Sequence, residues 1–175
     1  MPSTTFDHLS AEKKDHIQQA LLTEFSNHSL ADAQVARIVK QAQIARGAFY
    51  KYFNDLTDAY RYLYRQAMVE VHQPITKQQG LLTADQYLDQ VQAFVTSINS
   101  GPYRDLVRLH FQTNEGLLTT AAGPTPHSAE EWAVMTLVHE AIKECLLNPA
   151  GQEQSLAYLA RVLRRLLRKE RWSCF

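Results

Sequence analysis

Arg46, Tyr50 and Lys51 lie within six residues and carry the chemistry to grip a phosphate or the edge of a base. A guanidinium fork matches the paired acceptors of guanine, a phenol donates or accepts one bond, and an ammonium neutralises a phosphate. Arg46 and Tyr50 are four apart, so on a helix they share a face. Phe49 and Phe53 have the same spacing and anchor the opposite face. Ala45, Gly47 and Ala48 leave the first turn almost bare. A helix entering the DNA major groove needs this form, a slim leading end with a few long polar side chains. From Ala33 to Asn54 there is no Asp or Glu, while Arg37, Lys40, Arg46 and Lys51 are basic. That local surplus of four sits in a chain of formal net charge +0. Phosphate neutralisation needs such a local patch, not a basic protein overall. The plain alternative is a solvated helix face, and the acid-free window favours DNA. Arg46 takes the base-edge role, and Lys51 and Tyr52 meet phosphates. Gly47 permits close backbone approach, although simple tolerance accounts for it equally. Gln34 offers a backbone or side-chain donor to phosphate.

The elements that must position these residues follow from apolar spacing. Val35, Ile38, Val39 and Ala42 make one buried stripe, and Ile44 plugs a short turn. Val35 to Phe53 therefore reads as a helix-turn-helix with its recognition helix near Ala45 to Lys51. Ser10 caps an earlier helix that runs to about Asn27 and carries Ile17, Leu21 and Phe25. Residues 1–8 read as a loose arm without Arg or Lys. Asp32 stands as an early cap of the second helix. After Phe53, Asp55 caps a helix carrying Tyr60, Leu63, Tyr64, Ala67, Met68 and Val71, which ends at Pro74.

Residues 35–53 resemble the DNA-binding domain of the TetR family of bacterial repressors. The family places an apolar residue, an Ile-Ala pair, an Ala, a turn Val or Ile, a Gly, a Phe-Tyr pair and a closing aromatic-Phe. Here those places hold Val35, Ile38-Val39, Ala42, Ile44, Gly47, Phe49-Tyr50 and Tyr52-Phe53. Ile17, Ala20, Leu21 and Phe25 match the family's first helix, and the resemblance covers roughly residues 10–65. The chain departs from the pattern at Ala33, Gln34, Gln43, Ala45, Ala48 and Leu56, which removes a helix cap and several phosphate contacts. Ala48 keeps a methyl able to meet a thymine methyl.

The rest of the chain is read as helical throughout. Its 175 residues are 45% hydrophobic and 21% charged, with six Gly and six Pro. Thr83–Gln86 and Ser128–Glu131 are capping boxes opening two helices, the second running to Leu147. Gly101-Pro102 divides the first of these from a helix that carries His110 and Phe111. The helix behind Ser128 is apolar over more than half its circumference, so it is buried on two sides. The last helix, Gln152 to about Arg171, sets Leu156, Leu159, Leu163, Leu166 and Leu167 against Arg161, Arg164, Arg165 and Arg168. That arginine face reads as a solvated edge beside a dimer seam, a nucleic-acid patch or a membrane-surface helix. The narrow leucine stripe suits the first. Two such helices from each subunit make a four-helix dimer interface through Trp132, Met135, Val138, Ile142, Leu159, Leu163 and Leu166.

No catalytic constellation is present in this reading. The seven histidines lack metal spacing, and His139-Glu140 lacks the second His of a zinc-protease helix. Cys145 and Cys174 read as free thiols in a reducing cytoplasm. The N-terminus lacks the apolar segment of a signal peptide, and no apolar run approaches a membrane span of roughly 20 residues. The expectation is an all-α protein: a helix-turn-helix domain over 1–55, then a helical effector-binding and dimerisation domain over 56–175. It is a cytoplasmic homodimer without a cofactor, a regulator and not an enzyme, held on a near-palindromic double-stranded operator. The resemblance further implies a repressor released by a small lipophilic effector. Tyr64, Met68, Phe94, His110, Phe111 and Trp132 are the candidate contacts, each also readable as core. The alternatives are a regulator whose body binds a protein, and a helical-bundle carrier that binds no DNA.

Overall fold

Ser10 adopts extended backbone, its hydroxyl accepts the Lys13 N–H, and a helix follows at once. A computed structural model describes residues 2–72, 82–117 and 125–168. Its elements are α1 (Thr4–Asp7), α2 (Ala11–Asn27), α3 (Val35–Gln41), α4 (Arg46–Tyr52), α5 (Leu56–His72), α6 (Ala84–Ser100), α7 (Arg104–Leu109), α8 (Ala129–Leu147) and α9 (Gln152–Leu166). A π-helical turn, His110–Asn114, and a 3-10 turn, Glu115–Leu117, continue α7. The described residues are helical and contain no strand.

The expected caps form. Asp55 accepts the Asp58 N–H at 2.7 Å at the start of α5. Thr83 and Gln86 bond reciprocally, at 2.9 and 3.3 Å, to open α6. Ser128 accepts the Glu131 N–H at 3.1 Å, but Glu131 reaches back to His127 at 2.6 Å and not to Ser128. The arm expected to be loose is instead α1. Phe6 is 1% exposed because it inserts among Tyr52, Phe53 and Tyr62, with ring centroids 5.8, 5.1 and 5.1 Å away. Burying an aromatic ring of this size outweighs the fraying tendency of a polar tail.

The chain packs as two compact units, 1–73 with 98–119 and 74–97 with 120–175. The first extends past residue 55 for a physical reason. Ala59, Tyr60 and Leu63 of α5 and Leu106 of α7 are buried in the same core as Phe25 and Phe49. This core joins Ile17 and Leu21 of α2, Val35 and Ile38 of α3, and Phe6 of α1. Phe25 and Tyr60 meet edge to face at 5.0 Å.

In the second unit α8 and α9 form a hairpin through a 3-10 turn at Pro149–Gly151. Val134, Ala141, Cys145 and Leu146 of α8, with Leu159 and Leu163 of α9, are buried. Burial pushes the Cys145 thiol up, which keeps it protonated. Asp85 of α6 takes a 2.8 Å bond from Arg164 of α9. Pro74, Cys174 and the end of the last helix, Lys169–Arg171, fall outside the described residues.

Candidate nucleic-acid interface

The turn between α3 and α4 places the interface. Ala42 N–H bonds to the Ile38 carbonyl at 2.8 Å, and Ile44 N–H to the Val39 carbonyl at 3.1 Å. Between them Gln43 takes φ 54°, the left-handed conformation that glycine adopts freely and other residues adopt at a cost. Ala45 then occupies the N-cap of α4 with no side-chain bond, leaving that end bare.

Helix α4 divides sharply by face. Phe49 is fully buried, and Phe53 closes the helix with its N–H on the Phe49 carbonyl at 2.9 Å. Ala45, Arg46, Gly47, Tyr50 and Lys51 are exposed, Tyr50 by 49%. A Cβ added at Gly47 would meet nothing within 4 Å. Arg46 donates from Nη2 to the Tyr50 hydroxyl at 3.2 Å, and its guanidinium carbon lies 5.6 Å from the Tyr50 ring centroid. The pair is therefore held together before any ligand arrives, which limits the rotamer entropy lost on binding. Ala48 is half-buried against the core.

Two expectations are corrected here. Tyr52 is buried against Phe6, so it belongs to the core and not to the exposed set assigned to phosphate. Arg37 is not a free cation. Its guanidinium bonds Glu24 at 2.6 and 2.8 Å, and the Asp32 carbonyl at 2.8 Å. Glu24, outside the acid-free window in sequence, thus reaches it in space, and the exposed cations of the window are Lys40, Arg46 and Lys51.

Glu24 also supplies what α3 lacks. Gln34 makes no side-chain cap, and its N–H bonds Glu24 Oε1 at 2.7 Å. The backbone donor of Gln34 is therefore already used, and its exposed side chain is what remains for a phosphate. Asp32 accepts from Ser29 at 2.5 Å instead of capping α3. Burial of Glu24, 4% exposed, favours its neutral form, but the bonds from Arg37 and Gln34 prevail and hold the carboxyl below its ordinary range.

The effector candidates divide between the units. In the first, Tyr64 stacks on His110 at 4.1 Å and Phe111 meets His110 at 5.6 Å. Met68 is half-buried beside this core. Tyr60 Oη lies 3.0 Å from His110 Nδ1, and burial pushes its hydroxyl up to about 12. Asn114, fully buried on the π-helical turn, accepts the Leu30 N–H at 2.8 Å, and its Nδ2 has no hydrogen-bond partner. Sequence reasoning read Tyr60 only as part of the buried side of its helix and missed its bond to His110, because the two are fifty positions apart. In the second unit Phe94 is buried and Trp132 is 61% exposed.

Of the residues assigned to a dimer seam, Trp132 is exposed and Met135, Val138, Ile142 and Leu166 are half-buried. Leu159 and Leu163 are buried within the chain's own helices, so they are corrected to core positions. Tyr158 and Val162 of α9, four apart and exposed, were overlooked because the leucines beside them dominate the pattern. Among the described residues no group of three or more His, Cys, Asp or Glu could hold a metal ion. None of their helices is long and apolar enough to cross a membrane.

No protein-family model matches the chain, and no curated protein matches it closely. Solved structures do. A TetR family transcriptional regulator from Chloroflexus aurantiacus J-10-FL superposes with a TM-score of 0.58 at 17% identity, over 95% of this chain and 96% of that one. Another, from Pseudomonas syringae pv. tomato str. DC3000, gives 0.61 at 12% identity, over 90% and 97%. With an N-terminal helix-turn-helix and a helical body, the chain has the fold of TetR family transcriptional regulators.

Proposed function

We propose that this protein is a TetR family regulator that binds double-stranded DNA as a homodimer, with α4 as its recognition helix. One observation carries the reading: α4 buries Phe49 while presenting Arg46, Gly47, Tyr50 and Lys51 on a face with a bare leading end. Arg46 reads a base edge, and Lys51, Lys40 and the Gln34 side chain meet the backbone. Two copies of α4 enter successive major grooves of a near-palindromic operator, with half-sites about 34–36 Å apart. The exposed and half-buried apolar residues Trp132, Met135, Val138, Ile142 and Leu166 form the seam, joined by Tyr158 and Val162. The bound dimer blocks transcription, and a lipophilic effector releases it by favouring a conformation with another head spacing. The aromatic cluster of Tyr64, His110 and Phe111, with Met68, is where the effector acts in the first unit. No catalytic step is assigned.

Selection of bound duplexes from a random DNA pool, followed by salt titration, tests this. A palindromic consensus is expected, with Arg46→Ala and Tyr50→Ala each losing about 1–3 kcal/mol of discrimination. Unchanged consensus affinity in both variants overturns the placement of the recognition helix. A steep salt slope without any consensus reduces the function to backbone binding.

A further inference from the structure

The last four carbonyls of a helix lack partners within it, and in a seven-residue helix they are more than half of its carbonyls. In α4 the Phe49 carbonyl is taken by Phe53, while those of Lys51 and Tyr52 are reached from a distant segment. The Ser3 N–H donates to the Tyr52 carbonyl at 2.9 Å, and the Ser3 hydroxyl donates to the Lys51 carbonyl at 2.5 Å. The same serine caps α1, whose Phe6 N–H lies 3.4 Å from its oxygen. Phe6 then packs on Tyr52 and Phe53, the residues that end α4. Lys14 donates to the Asp7 carbonyl at 2.7 Å and holds the arm on α2.

Resting on the DNA-binding reading above, we propose that Ser3 is a positioning residue for DNA recognition. Its two donors close the C-terminal end of the recognition helix and set the angle at which Arg46, Tyr50 and Lys51 are presented. Residues 1–8 contain no Arg or Lys to neutralise a phosphate. The arm acts through α4, so it governs the preference for the operator over other DNA and leaves the electrostatic component alone. A serine that merely added stability would behave like Ser10, which also caps a helix by its hydroxyl but bonds Lys13 and Lys14 of α2.

The test compares Ser3→Ala, Ser3→Thr and Ser10→Ala in the full chain. Each is measured for affinity to the selected operator and to an unrelated duplex across a salt series, with amide exchange followed at Tyr52 and Phe53 in the free protein. Ser3→Ala is expected to bind the operator roughly tenfold more weakly, the worth of one hydrogen bond, with the salt slope unchanged. Exchange at Tyr52 and Phe53 should quicken, and Ser3→Thr, which keeps the hydroxyl, should restore both. Ser10→Ala should lower the melting temperature and leave operator preference intact. Equal operator preference in Ser3→Ala and wild type, or loss of it to the same degree in Ser10→Ala, overturns the positioning role. If wild type itself selects no duplex, the DNA reading fails and takes the recognition role with it. Unchanged exchange in Ser3→Ala separately overturns the cap.

Discussion

Gly47 separates folding from binding at a single atom. A Cβ there meets nothing within the protein, so Gly47→Ala removes backbone freedom from α4 without a clash. The variant should be more stable, by up to about 0.8–1.0 kcal/mol less the discount due at a helix end. If the bare turn exists for DNA, the same methyl group weakens operator binding. Thermal melting together with operator titration checks both signs, and a stabilised variant with full affinity assigns Gly47 to simple tolerance. Glu24 presents the opposite case, a residue whose charge serves the fold. Its carboxyl is held below its ordinary value of 4.5, so its share of stability is complete above that pH. That share fades as pH falls through the lowered folded-state value. Glu24→Gln should lose roughly 1.5–3 kcal/mol at neutral pH. As pH falls below 4.5 and through the lowered folded-state value, its melting temperature should converge on that of wild type. Parallel melting curves at every pH would show that the Arg37 and Gln34 bonds contribute no net stability.

The turn between α3 and α4 carries strain that a glycine would relieve. Gln43 at φ 54° costs about 1–2 kcal/mol relative to glycine, so Gln43→Gly should raise stability by up to that amount in a denaturant titration. No gain would mean that the freedom glycine adds to the unfolded chain cancels the relief. Elements of this kind were legible because their signals are local. Ser10, Asp55, Thr83 and Ser128 sit one hydrogen bond from the helices they open, and that distance is written as a spacing of three. Ile17, Leu21 and Phe25 disclosed the buried face of α2 in the same way. What escaped the sequence is non-local. Phe6 is held by aromatic rings 46 or more positions away, and Glu24 reaches Arg37 across thirteen residues and a turn. A one-dimensional window therefore counted Arg37 as a free cation and the arm as loose. The π-turn at His110–Asn114 escaped too, since α and π turns share the apolar spacing over five residues.

At the scale of the whole molecule, the exposed apolar surface of the second unit is its most telling feature. Trp132, Tyr158 and Val162 leave large hydrophobic area in water, which a second copy would cover. If the proposed dimer closes over this surface, Trp132→Glu should shift it to monomer in sedimentation and weaken operator binding, because two half-sites would no longer be engaged together. A variant that sediments as wild type would place the seam elsewhere. Leu159 and Leu163 show the limit of a leucine stripe as a signal. A leucine stripe announces that a face is covered, but not whether its own chain or a partner covers it. The seal that Ser3 places on α4, from 48 positions upstream, also bears on how this head could be transplanted. A chimera carrying only residues 33–54 would inherit the side chains proposed to read bases but open the carbonyls of Lys51 and Tyr52 to water. A graft that keeps the end of α4 closed is therefore discontinuous, and must bring Ser3 through Phe6 as well as the helix.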